Sequence, residues 1–202
     1  MRACIRTAIR IWFRPRVVGR ANVPAEGPVL LAPVHRSFAD FVFPLLLTDR
    51  KLFYMGKDTL WRSRTFGRLL SLLGAFPVHR QAADREALAR AEEVLRQGQV
   101  LVLFPEGTRE EGAVVGHLHE GAAFLAARTA APIVPVGIGG SDRAMPPGRL
   151  VARPLRVTVV AGPALPAPTL PEGARRVPLG QVRRATEELR LAIQAVYDEA
   201  RR

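Results

Sequence analysis

The chain predicts an α/β fold: one domain with a mixed, largely parallel central sheet flanked by helices, plus an N-terminal amphipathic helix. Two observations carry this expectation. Short apolar runs at 29–32, 100–104 and 133–138 have the length and unbroken hydrophobicity of strands covered on both faces. They alternate with longer stretches whose apolar residues recur at helical spacing, as strand–helix units on a parallel sheet require. At 202 residues, 48% of them apolar, the chain is long enough for a sizeable core and too hydrophobic for disorder.

The elements follow in order. Arg2, Arg6 and Arg10 recur every four residues, with Ile5, Ala8, Ile9, Trp12 and Phe13 largely on another side. The N-terminal segment 1–17 therefore reads as a basic amphipathic helix whose helical part ends by Pro15. Arginine on one face with Trp and Phe on another suits a helix lying in a membrane interface; an equal reading has it capping the core through its apolar face. Residues 24–27 turn, and 29–32 form a buried strand that stops at Pro33. Ser37-x-x-Asp40 opens a helix in capping-box style. A second strand is expected over 51–55, a leucine-rich helix over 60–73 with Trp61 and Phe66, and a turn at Gly74 before Val78. Ala87, Leu88, Ala91, Val94 and Leu95 stand at helical spacing within 84–97, and Gly98 ends that helix. Residues 100–104 are a strand, 119–130 a helix, and 133–138 and 155–160 strands. The proline-rich stretch 161–178 reads as surface loop, and 181–202 as a final amphipathic helix with Val182, Leu189, Ile193 and Val196 on one side.

Charge and cysteine content bound the function. The net charge is +12 and the pI about 11.4, which points to an anionic partner: nucleic acid, a membrane surface or a phosphorylated substrate. Arginine supplies nearly all of it, Lys51 and Lys57 being the only lysines, and the charge is spread along the chain. The lone Cys4 excludes a disulfide framework and a Cys-rich zinc site. His117-x-His119 has a spacing seen at some metal sites, but no cluster completes it, so no metal is expected. No apolar run is long enough for an ordinary transmembrane helix, and the N-terminus lacks the apolar core and cleavage site of a signal peptide. Few aromatics and no helix-turn-helix, RNA-recognition or zinc-finger pattern make a nucleic-acid-binding protein the weaker reading.

Chemistry concentrates in two segments. In Val34-His35-Arg36-Ser37-Phe38-Ala39-Asp40, a histidine is followed by a carboxylate five positions on. On one continuous helix such residues diverge by about 140°. They meet only if His35 sits in the loop after the strand and Asp40 in the first helical turn. Asp40 then fixes the imidazole tautomer and leaves the other ring nitrogen as a base. Alternatively Asp40 merely caps a helix, or Ser37 acts as a nucleophile beside His35, although its place fits an N-cap. The second segment, Phe104-Pro105-Glu106-Gly107-Thr108-Arg109, is delivered to a strand end, where ligand sites of α/β sheets gather. Gly107 permits close backbone approach, Thr108 carries a hydroxyl donor, and Arg109 can grip a phosphate through two hydrogen bonds. Arg80, in Phe76-Pro77-Val78-His79-Arg80, again follows a short apolar segment, and Pro132-Ile133-Val134-Pro135 supplies a wall without reactive groups.

These blocks, in this order, resemble the glycerolipid acyltransferase family, of the 1-acyl-sn-glycerol-3-phosphate acyltransferase type, over residues 18–162. With the amphipathic membrane-interface helix read over 1–17, the resemblance implies an acyltransferase domain over 18–202. It implies His35 as general base, oriented by Asp40, for direct attack of a hydroxyl on an acyl thioester. Arg80, Glu106, Gly107, Thr108 and Arg109 would bind the acceptor, the arginines on its phosphate. The implied partners are acyl-CoA or acyl-carrier protein, a lysophospholipid acceptor and an anionic membrane surface, with no nucleic acid and no further cofactor. The implied place is peripheral or monotopic on the cytoplasmic face of a membrane. The chain departs from the family pattern at Val34, Arg36 and His79, and has His119-Glu120-Gly121 where Lys-Gly is usual. That last departure motivates a second acceptor class: glycerol 3-phosphate, a glycolipid or an aminolipid.

Overall fold

The computed structural model describes residues 2–72, 74–78, 85–149, 151–169 and 177–202. Its centre is a seven-stranded sheet in the order β1-β7-β6-β2-β5-β3-β4. The strands are β1 Arg16–Val18, β2 Val29–Pro33, β3 Leu52–Lys57, β4 Ala75–Val78, β5 Val100–Val102, β6 Ile133–Gly139 and β7 Thr158–Ala161. Five of them, β6 to β4 in spatial order, run parallel; β7 pairs antiparallel with β6, and β1 parallel with β7. The expected mixed, largely parallel sheet is therefore present. Every residue of β2, β5 and β6 is buried, as central strands covered by helices on both faces must be.

The helices are α1 Arg2–Phe13, α2 Arg64–Leu72, α3 Arg85–Arg96, α4 Gly121–Thr129, the single turn α5 Ser141–Ala144, and α6 Leu179–Arg201. Helix α6 packs its Leu189 and Ile193, both fully buried, against the sheet; each such side chain contributes about 1.5–3 kcal/mol. Its backbone approaches β6 so closely that a Cβ on Gly137 or Gly139 would fall 2.2 Å from Val196 O or 2.1 Å from Ala200 O. Helix α1 buries Ile9 and Phe13, the latter edge-on to Phe43 at 5.1 Å, and exposes Ile11 and Trp12.

Three expectations need correction. The helix over 60–73 is broken: a 3₁₀ turn at Asp58–Arg62 precedes α2. The reason is Trp61, whose indole folds back so that a Cβ on Gly67 would lie 2.8 Å away, and whose Nε1–H donates to Ser71 Oγ at 3.0 Å. A straight helix would carry that ring away. The stretch after β7 is not all surface loop, because Leu165 exchanges two backbone hydrogen bonds with Ile133 and packs on the core. The last strand begins at Thr158 rather than 155, since residues 153–155 close a turn through Leu155 N–H to Arg153 O.

Candidate active site

The strand order puts the ends of β2 and β5 side by side and pointing the same way. The loop 34–37 and the turn 104–109 are thus neighbours at one edge of the sheet, where α/β domains hold ligands. Ser37 caps a 3₁₀ helix over Phe38–Leu46, accepting from Ala39 N–H, and Asp40 in its first turn reaches back to the loop. Asp40 Oδ2 accepts from the backbone N–H of Arg36 at 2.6 Å and of Ser37 at 2.7 Å, and lies 3.1 Å from His35 Nδ1. An ionised carboxylate only accepts, so the shared proton sits on Nδ1 and Nε2 is left with its lone pair. Asp40 is fully buried, and its Oδ1 has no partner among the described residues. His35 is partly open, with its ring stacked at 4.2 Å on Phe104. Ser37 is spent on structure: its hydroxyl donates to Met145 O at 2.8 Å and the residue is buried.

Glu106 is turned inward. Its Oε2 accepts from the His35 N–H at 2.8 Å, and both oxygens accept from Arg36 Nη1, at 2.7 and 2.9 Å. The two side chains are 1% and 2% exposed, so the carboxylate meets the protein and not the solvent. Gly107 has φ 70°, a left-handed conformation that favours glycine, and the exposed His119 ring packs where a Cβ would stand, with Cδ2 at 2.6 Å from that position. Beyond it Thr108 and Arg109 are exposed. Arg80 lies outside the described residues.

His35, Thr108 and Arg109 line one cavity of about 490 Å³. The remainder of its wall is apolar, with Phe38, Phe41 and Leu45 from the 3₁₀ helix, Leu52 and Tyr54 from β3, and Trp61 and Leu70 beyond it. Burial pushes the Tyr54 phenol well above its ordinary range, so that group stays protonated. A histidine with one nitrogen fixed, facing an apolar cavity with a cation beside it, can take a proton from a hydroxyl on an amphiphile bearing an anionic group.

Residues 14–139 match the acyltransferase family, a span that includes His35, Asp40 and the whole 104–109 turn. The chain belongs to the acyltransferase family. It is 28% identical over 140 residues to a chloroplastic 1-acyl-sn-glycerol-3-phosphate acyltransferase of Brassica napus, covering 68% of this chain and 40% of that one. It is 28% identical over 126 residues to a 1-acyl-sn-glycerol-3-phosphate acyltransferase of Bacillus subtilis, 62% of each chain. One of Streptococcus pneumoniae is 34% identical over 117 residues, 57% of this chain and 42% of the relative. The chain spans about half the length of the curated relatives it matches. In fold it is similar to the crystal structure of the 1-acyl-sn-glycerophosphate (LPA) acyltransferase of Thermotoga maritima, with TM-score 0.75 and 24% identity over 100% of this chain and 78% of that one.

In this acyltransferase family member, the site also depends on residues that carry no sequence signal. Phe104 was visible only as the end of a strand, Met145 supplies a carbonyl from a distant loop, and Tyr197 of α6 stacks on Arg36 at 5.1 Å. At the usual Lys-Gly position, Glu120 pairs with Arg183 at 3.2 Å and His119 rests against Gly107.

Proposed function

We propose that the chain is an O-acyltransferase that moves an acyl group from acyl-CoA or acyl-carrier protein to the free hydroxyl of 1-acyl-sn-glycerol 3-phosphate, giving phosphatidic acid. One observation carries the reading: the His35 ring, held by Asp40, lines the apolar cavity together with Thr108 and Arg109. Nε2 takes the hydroxyl proton as the acceptor oxygen attacks the thioester carbonyl carbon. The C–S bond breaks, and the leaving thiolate receives the proton back from the imidazolium, which Asp40 stabilises meanwhile. No covalent acyl-enzyme forms and no cofactor beyond the thioester co-substrate takes part. The apolar wall houses hydrocarbon, and Arg109 grips the acceptor phosphate.

The same reading has the enzyme working on the cytoplasmic face of a membrane, bound peripherally. Among the described residues no helix is long and apolar enough to cross one. Ile11 and Trp12 point outward from α1, and Trp12 Nε1–H donates to Ala152 O at 3.1 Å. That bond ties α1 to the segment carrying the exposed Val151 and Leu155, and the exposed Arg10, Arg14, Arg153 and Arg156 of these two stretches have no ion-pair partner among the described residues. Apolar tips within free arginines suit an anionic lipid surface.

A different acceptor is favoured by one observation. Where the family usually has lysine, Glu120 brings the opposite charge and holds Arg183. The deciding experiment is a thioester-release assay with acyl-CoA and acyl-carrier protein against 1-acyl-sn-glycerol 3-phosphate, glycerol 3-phosphate, a lyso-glycolipid and an aminolipid. The lysophosphatidic acid should be the best acceptor, and His35→Ala should lose about 10²–10⁴-fold in turnover. Retained turnover in that variant sinks the base assignment; a better acceptor elsewhere in the panel replaces the substrate.

A further inference from the structure

Every nitrogen of the Arg36 guanidinium donates to the protein. Its Nε–H donates to Gly112 O at 3.2 Å, Nη1 to His35 O at 3.0 Å and to both Glu106 oxygens, and Nη2 to Val114 O at 3.1 Å. Tyr197 covers the guanidinium face and bonds the same Gly112 carbonyl at 3.2 Å. Glu106 in turn holds the His35 N–H, while Asp40 holds those of Arg36 and Ser37. Three successive backbone N–H groups of the loop are therefore clamped by two carboxylates, one neutralised by Arg36 and the other set against the imidazole. Neither Glu106 nor Arg36 is among the residues lining the cavity.

We propose that Arg36 and Glu106 are a positioning pair for His35, and that Glu106 does not bind the acceptor. The proposal rests on His35 being the base. A buried ion pair adds little net stability, because desolvation offsets its attraction, but it tolerates only one geometry. That geometry sets where the His35 backbone lies and so where Nε2 points. The pair also keeps the field behind His35 balanced. Among the described residues, the charged or titratable groups that meet the His35 loop or share its cavity are Asp40, the two members of the pair, Glu110, whose backbone N–H donates to His35 O at 3.0 Å, His119 beside Gly107, and Arg109 and the Tyr54 phenol in the cavity wall. Neutralising one member uncovers the charge of the other; neutralising both uncovers none.

The test is a double-mutant cycle of Glu106→Gln, Arg36→Gln and the double variant, with steady-state kinetics across pH and thermal melts. Each single variant should lose about 10–100-fold in kcat, with both KM values within about threefold of wild type. The acidic limb of the kcat/KM profile should move down in Glu106→Gln, where the bare guanidinium opposes imidazolium. It should move up in Arg36→Gln, where the bare carboxylate favours it. Each displacement should be on the order of one pH unit, and the double variant should return the limb close to wild type. A large rise in acceptor KM at unchanged kcat in Glu106→Gln makes Glu106 an acceptor ligand and overturns the proposal. So do limbs that stay fixed in both single variants. Should a single variant fail to fold, the double variant carries the test, and a wild-type kcat there overturns the pair. His35→Ala is run alongside: turnover retained in that variant defeats the base reading itself, whereas a dead His35→Ala with unaffected pair variants defeats only the positioning proposal.

Discussion

Arg36 and Arg109 stand in adjacent loops at the same edge of the sheet, and the protein uses them in opposite ways. The loop after β2 places Arg36 inside, with its side chain 2% exposed and every direction of its guanidinium met by the protein. The turn after β5 carries Arg109 out past Gly107 to the cavity, where it has no protein partner among the described residues. The inner half of the site holds geometry and the outer half holds open valences. A charge close to the strand end cannot stay unpaired, because desolvation would cost several kcal/mol. A charge two residues beyond a glycine can remain in water until a ligand replaces that water.

The largest effect should come from the inner half. Asp40→Asn keeps an oxygen for the N–H groups of Arg36 and Ser37 but removes the charge facing Nδ1. We expect kcat to fall about 10²–10⁴-fold while the thermal melt stays cooperative. Full kcat in this variant would make Asp40 a helix cap and nothing more. The outer half should answer differently. Arg109→Ala should raise the acceptor KM about 10–100-fold and leave kcat within about threefold, the loss expected for hydrogen bonds to a charged group. An unchanged acceptor KM would place the phosphate elsewhere and erase the contrast between the two arginines.

This contrast was only half legible in the sequence. Apolar runs announced β2, β5 and β6, because strands buried on both faces have no polar alternation to obscure them. Strand β1 escaped, being three residues with one exposed, and so did β4, which is half-buried and contains Pro77. The turn between His35 and Asp40 was readable because a strand stop and an N-cap lie between them. Glu106 and Arg36 were not, since burial of a charged side chain depends on partners 70 positions apart in the chain. Local pattern has no access to such pairs. Trp61 shows the same limit, because its docking onto Gly67 overrode a helical run of leucines.

A third region sharpens what exposed arginine is for. Ile11 and Trp12 of α1 and Val151 and Leu155 of the segment bonded to it through Trp12 are exposed, and the exposed arginines of the same two stretches have no ion-pair partner among the described residues. The double substitutions Ile11→Ser/Trp12→Ser and Val151→Ser/Leu155→Ser should each weaken binding to vesicles containing anionic phospholipid by about tenfold, measured by co-sedimentation. Binding by wild type should fall with added salt. If only the α1 variant loses affinity, the 151–155 segment belongs to the fold and not to the contact.

The smallest effect belongs to an ion pair of intermediate burial. Arg128 of α4 holds Glu92 of α3 through two hydrogen bonds of 2.9 Å, with side chains 43% and 12% exposed. The hydrogen bond from Arg128 keeps the Glu92 carboxyl below its ordinary range. A carboxyl lowered in the folded state contributes stability above its unfolded value and loses it as pH falls through the folded one. Glu92→Gln should therefore cost less than about 1 kcal/mol at neutral pH, water screening the half-open guanidinium. The deficit should shrink as the pH drops below the ordinary carboxylate range, and kcat should not move. Melting curves of wild type and variant across acidic pH provide the check. A deficit that persists in acid would assign Glu92 a packing role, and a loss of kcat would break the rule that only the pair touching the His35 loop governs the base.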